Sequence, residues 1–155
     1  MDSWSNVAFS EEECMTLVRE CLTAGHRVRY FHFRGVSMLP MLRQGIDSVE
    51  LAPLPEQLKK YDLPVYQYPS GKYVMHRVVA VKDDHYVCRG DNTYRDEHIR
   101  HDQMLGVVSA FQRGEKRIEV DALGYRMYCR LWVAIYPLRK CFMQCRSWLS
   151  RHIPH

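Results

Sequence analysis

Ser37 stands in the stretch Gly35-Val36-Ser37-Met38-Leu39-Pro40. A serine nucleophile needs an exposed hydroxyl, backbone N–H groups nearby for the oxyanion and a base within hydrogen-bond reach. Gly35 removes a side chain where an extended substrate would approach, and Pro40 stiffens the exit from the loop. With Met38 they are the candidate substrate contacts. The same stretch also reads as an ordinary strand-to-turn connection. His76 lies in the run Tyr73–Val79, where alternation puts Val74, His76 and Val78 on one strand face. A histidine among such neighbours is equally the pattern of a satisfied core residue. Histidine as a residue type suits a general base at neutral pH, and an acid behind the ring would orient it. Candidate acids follow in Gly90-Asp91-Asn92 and at Asp96 and Glu97. Lys72 is the other candidate base, placed by Gly71 in an exposed turn. His98, His101 and Asp102 could ligate a metal, but no second cluster of matching spacing accompanies them, so a solvated loop is expected and no metal or cofactor is called for.

Positioning these groups requires a rigid frame. Ser10 followed by Glu13 has the pattern of a capping box, and Met15, Leu17, Val18, Cys21 and Leu22 recur at helical spacing up to Gly25. A helix is expected over about residues 11–23. Short runs rich in Val, Tyr, Phe and Ile follow at Arg27–Phe33, Ser48–Leu51, Pro64–Tyr68, Tyr73–Lys82, His85–Arg89 and Leu105–Phe111. Pro69-Ser70-Gly71 and Asp83-Asp84 mark hairpin turns between two pairs of them. The expectation is a mainly β, α+β domain over residues 27–121, antiparallel and partly barrel-like. It is preceded by the helix of residues 1–26 and followed by a basic amphipathic helical segment over residues 122–155. In that segment Leu138, Cys141, Phe142, Cys145, Trp148 and Leu149 hold helical spacing, and Pro137 sits at its first turn or kinks it.

The chain of 155 residues carries 46% hydrophobic and 26% charged residues, values of a folded globular domain rather than a disordered one. The formal net charge is +4, unevenly placed: no acid follows Asp121, whereas Arg126, Arg130, Arg139, Lys140, Arg146 and Arg151 do. The C-terminal stripe has two readings. It packs on the β domain, or it lies on an anionic membrane surface with Trp132 and Trp148 at headgroup level. No nucleic-acid-binding module accompanies the charges, so nucleic acid is not an expected partner. Six cysteines without a C-x-x-C pair fit free thiols and a cytoplasmic setting. The polar stretch Met1–Asn6 lacks the character of a signal peptide, and no apolar run approaches the ~20 residues that span a bilayer.

Taken in order, Gly-x-Ser-Met-x-Pro, a strand ending in His-Arg-Val, Gly-Asp-Asn with an acid soon after, and Gly106-Val107-Val108 resemble the signal peptidase family. The resemblance covers about residues 33–112. It implies a serine endopeptidase acting on leader or signal-like peptides after a small residue, with Ser37 as nucleophile. Bacterial-type members use lysine where this chain has His76, so the resemblance is to the histidine-using branch. That branch places its acid about six residues beyond the aspartate of Gly-Asp-Asn, where this chain has Glu97, with Asp96 one residue earlier. Asp96 is favoured as the third member, and Asp91 is kept among the catalytic candidates as a structural or supporting partner. The extra residue in Gly45-Ile46-Asp47-Ser48-Val49, and Tyr61-Asp62-Leu63-Pro64-Val65 in place of Gly-Asp-Ile-Val, depart from the family pattern, as does the lack of an N-terminal anchor. The alternative is a relative that binds extended peptides without cutting them.

Overall fold

The computed structural model describes residues 10–30 and 33–152. The polar stretch Met1–Asn6, and Phe31 and His32 of the first expected strand, lie outside the described residues. Helix α1 (Glu11–Thr23) starts with the expected capping box: the Ser10 side chain accepts from the Glu13 amide, and the Glu13 carboxylate accepts from Ser10. It ends in a Schellman motif, with Gly25 N–H donating to Leu22 O and His26 N–H to Cys21 O. Met15, Val18 and Leu22 bury its inner face.

Among the described residues nine strands follow, all paired antiparallel: β1 (Val28–Tyr30), β2 (Ser48–Ala52), β3 (Pro64–Gln67), β4 (Tyr73–Met75), β5 (Arg77–Val81), β6 (His85–Arg89), β7 (Glu97–Arg100), β8 (Met104–Arg113) and β9 (Lys116–Glu119). One sheet runs β1-β2-β8-β3-β4, with β9 added to β8; the other runs β5-β6-β7. The fold is therefore α+β and mostly β; among the described residues there are two open sheets and no closed barrel. The run expected as one strand through His76 is in fact divided. β4 belongs to the first sheet and β5 to the second, so His76 occupies the single residue where the chain passes between them. The larger core joins α1 to the first sheet through Met15, Leu22, Leu51, Val65 and Val108; the smaller one gathers Leu58, Tyr66, Val78, Cys88 and Ile99 beneath the second.

Helices α2 (Leu123–Ala134) and α3 (Tyr136–His152) complete the chain, with Pro137 in the first turn of α3 as expected. Tyr125 and Cys129 of α2 join the larger core. The apolar stripe of α3 does not: Leu138, Phe142 and Leu149 are exposed, which overturns the reading of this stripe as packed on the β domain. Among the described residues, no helix is long and apolar enough to cross a membrane.

Candidate active site

The loop that carries Ser37 is fixed from two sides. Gly35 has φ +97°, a left-handed conformation that favours glycine, and its N–H donates to Gln44 Oε1 at 2.7 Å. Beyond it, Leu39 N–H donates to Val36 O and Leu42 N–H to Met38 O, giving a tight turn with Ser37 half-buried at its start. Asn92 holds this turn from outside: its N–H donates to Ser37 O at 2.7 Å and its Nδ2 to Val36 O at 3.1 Å. The Gly-Asp-Asn turn thus clamps the serine loop. Among the described residues the Ser37 and Met38 amides donate to no other group, which leaves both for an oxyanion.

His76 is 6% exposed. Its Nδ1 lies 2.9 Å from Glu97 Oε2, and the Tyr66 hydroxyl donates to the same carboxylate oxygen. Tyr66 is wholly buried, and burial followed by donation to Glu97 raises its phenol far above the ordinary range, so it remains a donor. Burial alone would raise the Glu97 carboxyl; hydrogen bonds from His76, Tyr66 and Tyr68 outweigh it and hold the group down at about 2. An ionised carboxylate facing Nδ1 assigns the ring proton to Nδ1 and leaves Nε2 as the acceptor. The Cδ2 edge beside Nε2 faces Gly90. A Cβ added there would lie 3.1 Å from His76 Cδ2 and 2.7 Å from Ser37 O, so about 6 Å at most separates those two atoms. Gly90 is the gap through which the serine loop and the imidazole approach each other. Among the described residues, no hydrogen bond joins the Ser37 hydroxyl to the ring.

Strand alternation selects the acid. Glu97 pairs with Cys88, and Cys88 with Val78, so all three point to one face, which His76 shares two residues before Val78. Asp96 points the other way and takes a hydrogen bond from Arg89 Nε at 2.5 Å. The expectation that Asp96 stands behind the ring is therefore corrected to Glu97. Asp91 lies on that second face too, buried and joined to Arg77 through Nε at 2.8 Å and Nη2 at 2.7 Å. Burial opposes the Arg77 charge, but Asp91 outweighs it and the guanidinium stays protonated. Arg77 also donates to Tyr61 O, Tyr125 OH and Cys129 Sγ, and Asp91 accepts from Tyr128 OH at 3.0 Å. These contacts tie Asp91 to Arg77 and to α2.

A cleft of about 760 Å³ brings the pieces together, lined among others by Gly35, Ser37, Met38, Val74, His76 and Glu97. Pro40, expected as a substrate contact, is exposed and does not line it; it follows a cis peptide bond. Lys72 borders the cleft from the exposed β3–β4 turn, as its neighbour Gly71 suggested. His98 is on β7 rather than in a solvated loop, with Nδ1 2.9 Å from His85 Nε2, and no group among the described residues has three ligands placed for a metal ion. Tyr66, Tyr68 and Gly90 were not foreseen. The β3–β4 register pairs Tyr66 with Val74, which makes His76 its diagonal neighbour on the same face; counting back across the Pro69-Ser70-Gly71 turn would have found it.

No family model matches the chain, and neither a curated protein nor a solved structure matches it.

Proposed function

We propose that the chain is a serine endopeptidase of the signal peptidase kind, with Ser37 as nucleophile, His76 as base and Glu97 as the acid that orients it. The observation that carries this reading is the 2.9 Å contact of His76 Nδ1 with Glu97, on a ring whose opposite edge turns toward the Ser37 loop. In the reaction Ser37 Oγ forms a bond to the scissile carbonyl carbon while its proton passes to His76 Nε2. The Ser37 and Met38 amides receive the oxyanion. Collapse breaks the C–N bond, and Nε2 returns the proton to the leaving amine; water then repeats the sequence on the acyl-enzyme. Glu97 stays ionised throughout and stabilises the imidazolium. An extended leader or signal-like peptide is the substrate that fits the open cleft beside β4, a strand that among the described residues is paired on one edge only. Six free cysteines suit a reducing, cytoplasmic setting.

The missing hydrogen bond between the Ser37 hydroxyl and the ring favours a second reading, a relative that holds extended peptides without cleaving them. Unliganded active sites also show such loosened contacts. A serine-directed activity probe separates the two. The peptidase labels, and labelling is lost in both Ser37→Ala and His76→Ala. A wild-type chain that binds peptides but never labels overturns the peptidase reading.

A further inference from the structure

The C-terminal helices present an apolar face that the domain leaves uncovered. α3 meets the rest of the molecule through Tyr136, Arg139, Met143 and Ser147, which are half-buried and spaced by three and four on one side. Tyr136 OH donates to Tyr94 O at 2.8 Å, and Arg139 donates to Asp91 O, so this polar side is the one fastened to the domain. The apolar residues fall on the opposite side. Leu138, Cys141, Phe142, Cys145 and Leu149 occupy an arc of about 100°, the width of stripe that a surface helix ordinarily turns inward. Here it turns outward: Leu138 is 75% and Phe142 69% exposed. On α2, Leu123, Met127 and Leu131 repeat the pattern at intervals of four and are exposed as well. Cys145 and Leu149 also border an apolar recess of about 580 Å³ against Tyr94, which gives the face depth.

Charge decides what covers it. Beyond Asp121 the chain has no acid, and by helical spacing Arg126 and Arg130 flank the apolar residues of α2 while Arg146 flanks those of α3. Two copies laid stripe to stripe would bring arginine against arginine with no carboxylate on either helix to relieve it. An anionic lipid surface answers both features at once, taking the apolar side chains into the acyl boundary and the cations at the phosphates. We propose that the outer face of α2 and α3 is a peripheral membrane-binding surface, selective for bilayers rich in anionic phospholipid. This surface works independently of Ser37 and His76.

The test is flotation of the full chain with vesicles of phosphatidylcholine alone and of phosphatidylcholine mixed with phosphatidylglycerol. The chain is expected to float with the mixed vesicles only, and to be released by high salt. Leu138→Glu combined with Phe142→Glu should lower the bound fraction at least about tenfold without changing thermal melting, since both positions are exposed. Arg130→Gln with Arg146→Gln, which leaves the apolar face intact, should weaken binding in proportion to the lost charge. The proposal is overturned by failure to float, by equal flotation on neutral vesicles, or by a glutamate variant that floats like the wild type. It is equally overturned by a lipid-free dimer in sedimentation that the glutamate variant splits.

Discussion

Replacing Glu97 with glutamine keeps the shape of the side chain and removes its charge, so the carboxylate can be weighed by itself. Its pKa falls from an ordinary 4.5 to about 2 in the fold. At 1.36 kcal/mol per unit that difference corresponds to about 3 kcal/mol of stabilisation, a ceiling because the side chain is 26% exposed; about 1.5–3 kcal/mol is the expected loss in Glu97→Gln at neutral pH. The sign follows from proton counting. Between pH 2 and 4.5 the unfolded chain binds a proton that the native carboxylate does not, so this contribution is fully present above about 4.5 and is lost as the pH falls toward 2. Urea unfolding of wild type and variant at a series of pH values measures the gap directly. It should be flat from pH 8 to about 5 and close steadily below. Tyr66→Phe, which removes one of the three donors to the same carboxylate, should reproduce only part of the gap with the same pH profile. A gap between wild type and Glu97→Gln that does not change with pH would refute the reasoning, because the variant would then be reporting packing and not the ionised carboxylate.

Gly90→Ala inserts a methyl 2.7 Å from Ser37 O, too close for a real contact, and a tight 3.1 Å from His76 Cδ2. The serine loop must give way, so serine-probe labelling should fall at least about tenfold while far-ultraviolet circular dichroism is kept; unchanged labelling would remove Gly90 from the site. Arg77→Met leaves Asp91 buried without its cation and should cost about 3–5 kcal/mol in denaturant unfolding, whereas Asp96→Asn, which loses a partly exposed pair, should cost under about 1 kcal/mol. Equal costs would contradict the division of roles between the two strand faces.

The strands that position His76 were visible in the sequence because their faces are apolar and their turns carry Gly, Pro and Asp. Ser10 and Gly25 marked the ends of α1 for the same kind of local reason. β7 and β9 were not visible. Glu97–Arg100 and Lys116–Glu119 each hold a single apolar residue, Ile99 and Ile118, too few to mark an apolar strand face in the sequence. Each is a strand because β6 or β8 offers it backbone partners, which is a tertiary cause. Missing β7 also hid the acid. Asp96 and Glu97 are neighbours in a line, and only the pleat tells which of them faces the ring. The C-terminal periodicity announced a helix but not which side would turn in; hydrogen bonds from Tyr136 and Arg139 to the loop after β6 settled that against the apolar stripe.

The Arg77–Asp91 pair sets a boundary on how this chain can be divided. Tyr125, Tyr128 and Cys129 contribute their polar atoms to the pair, and Trp132 Nε1 donates to Asp91 O at 2.9 Å. Cutting the chain after residue 121 would open the joint to solvent and leave the Gly-Asp-Asn turn without its backing, and Asn92 on that turn holds Ser37 in place. A shortened β domain is thus not a minimal unit of this protein. Loss of labelling after such a cut would report a broken clamp, and loss of vesicle binding would not isolate the outer face of the helices. Point substitutions on exposed positions are the instrument that this architecture permits.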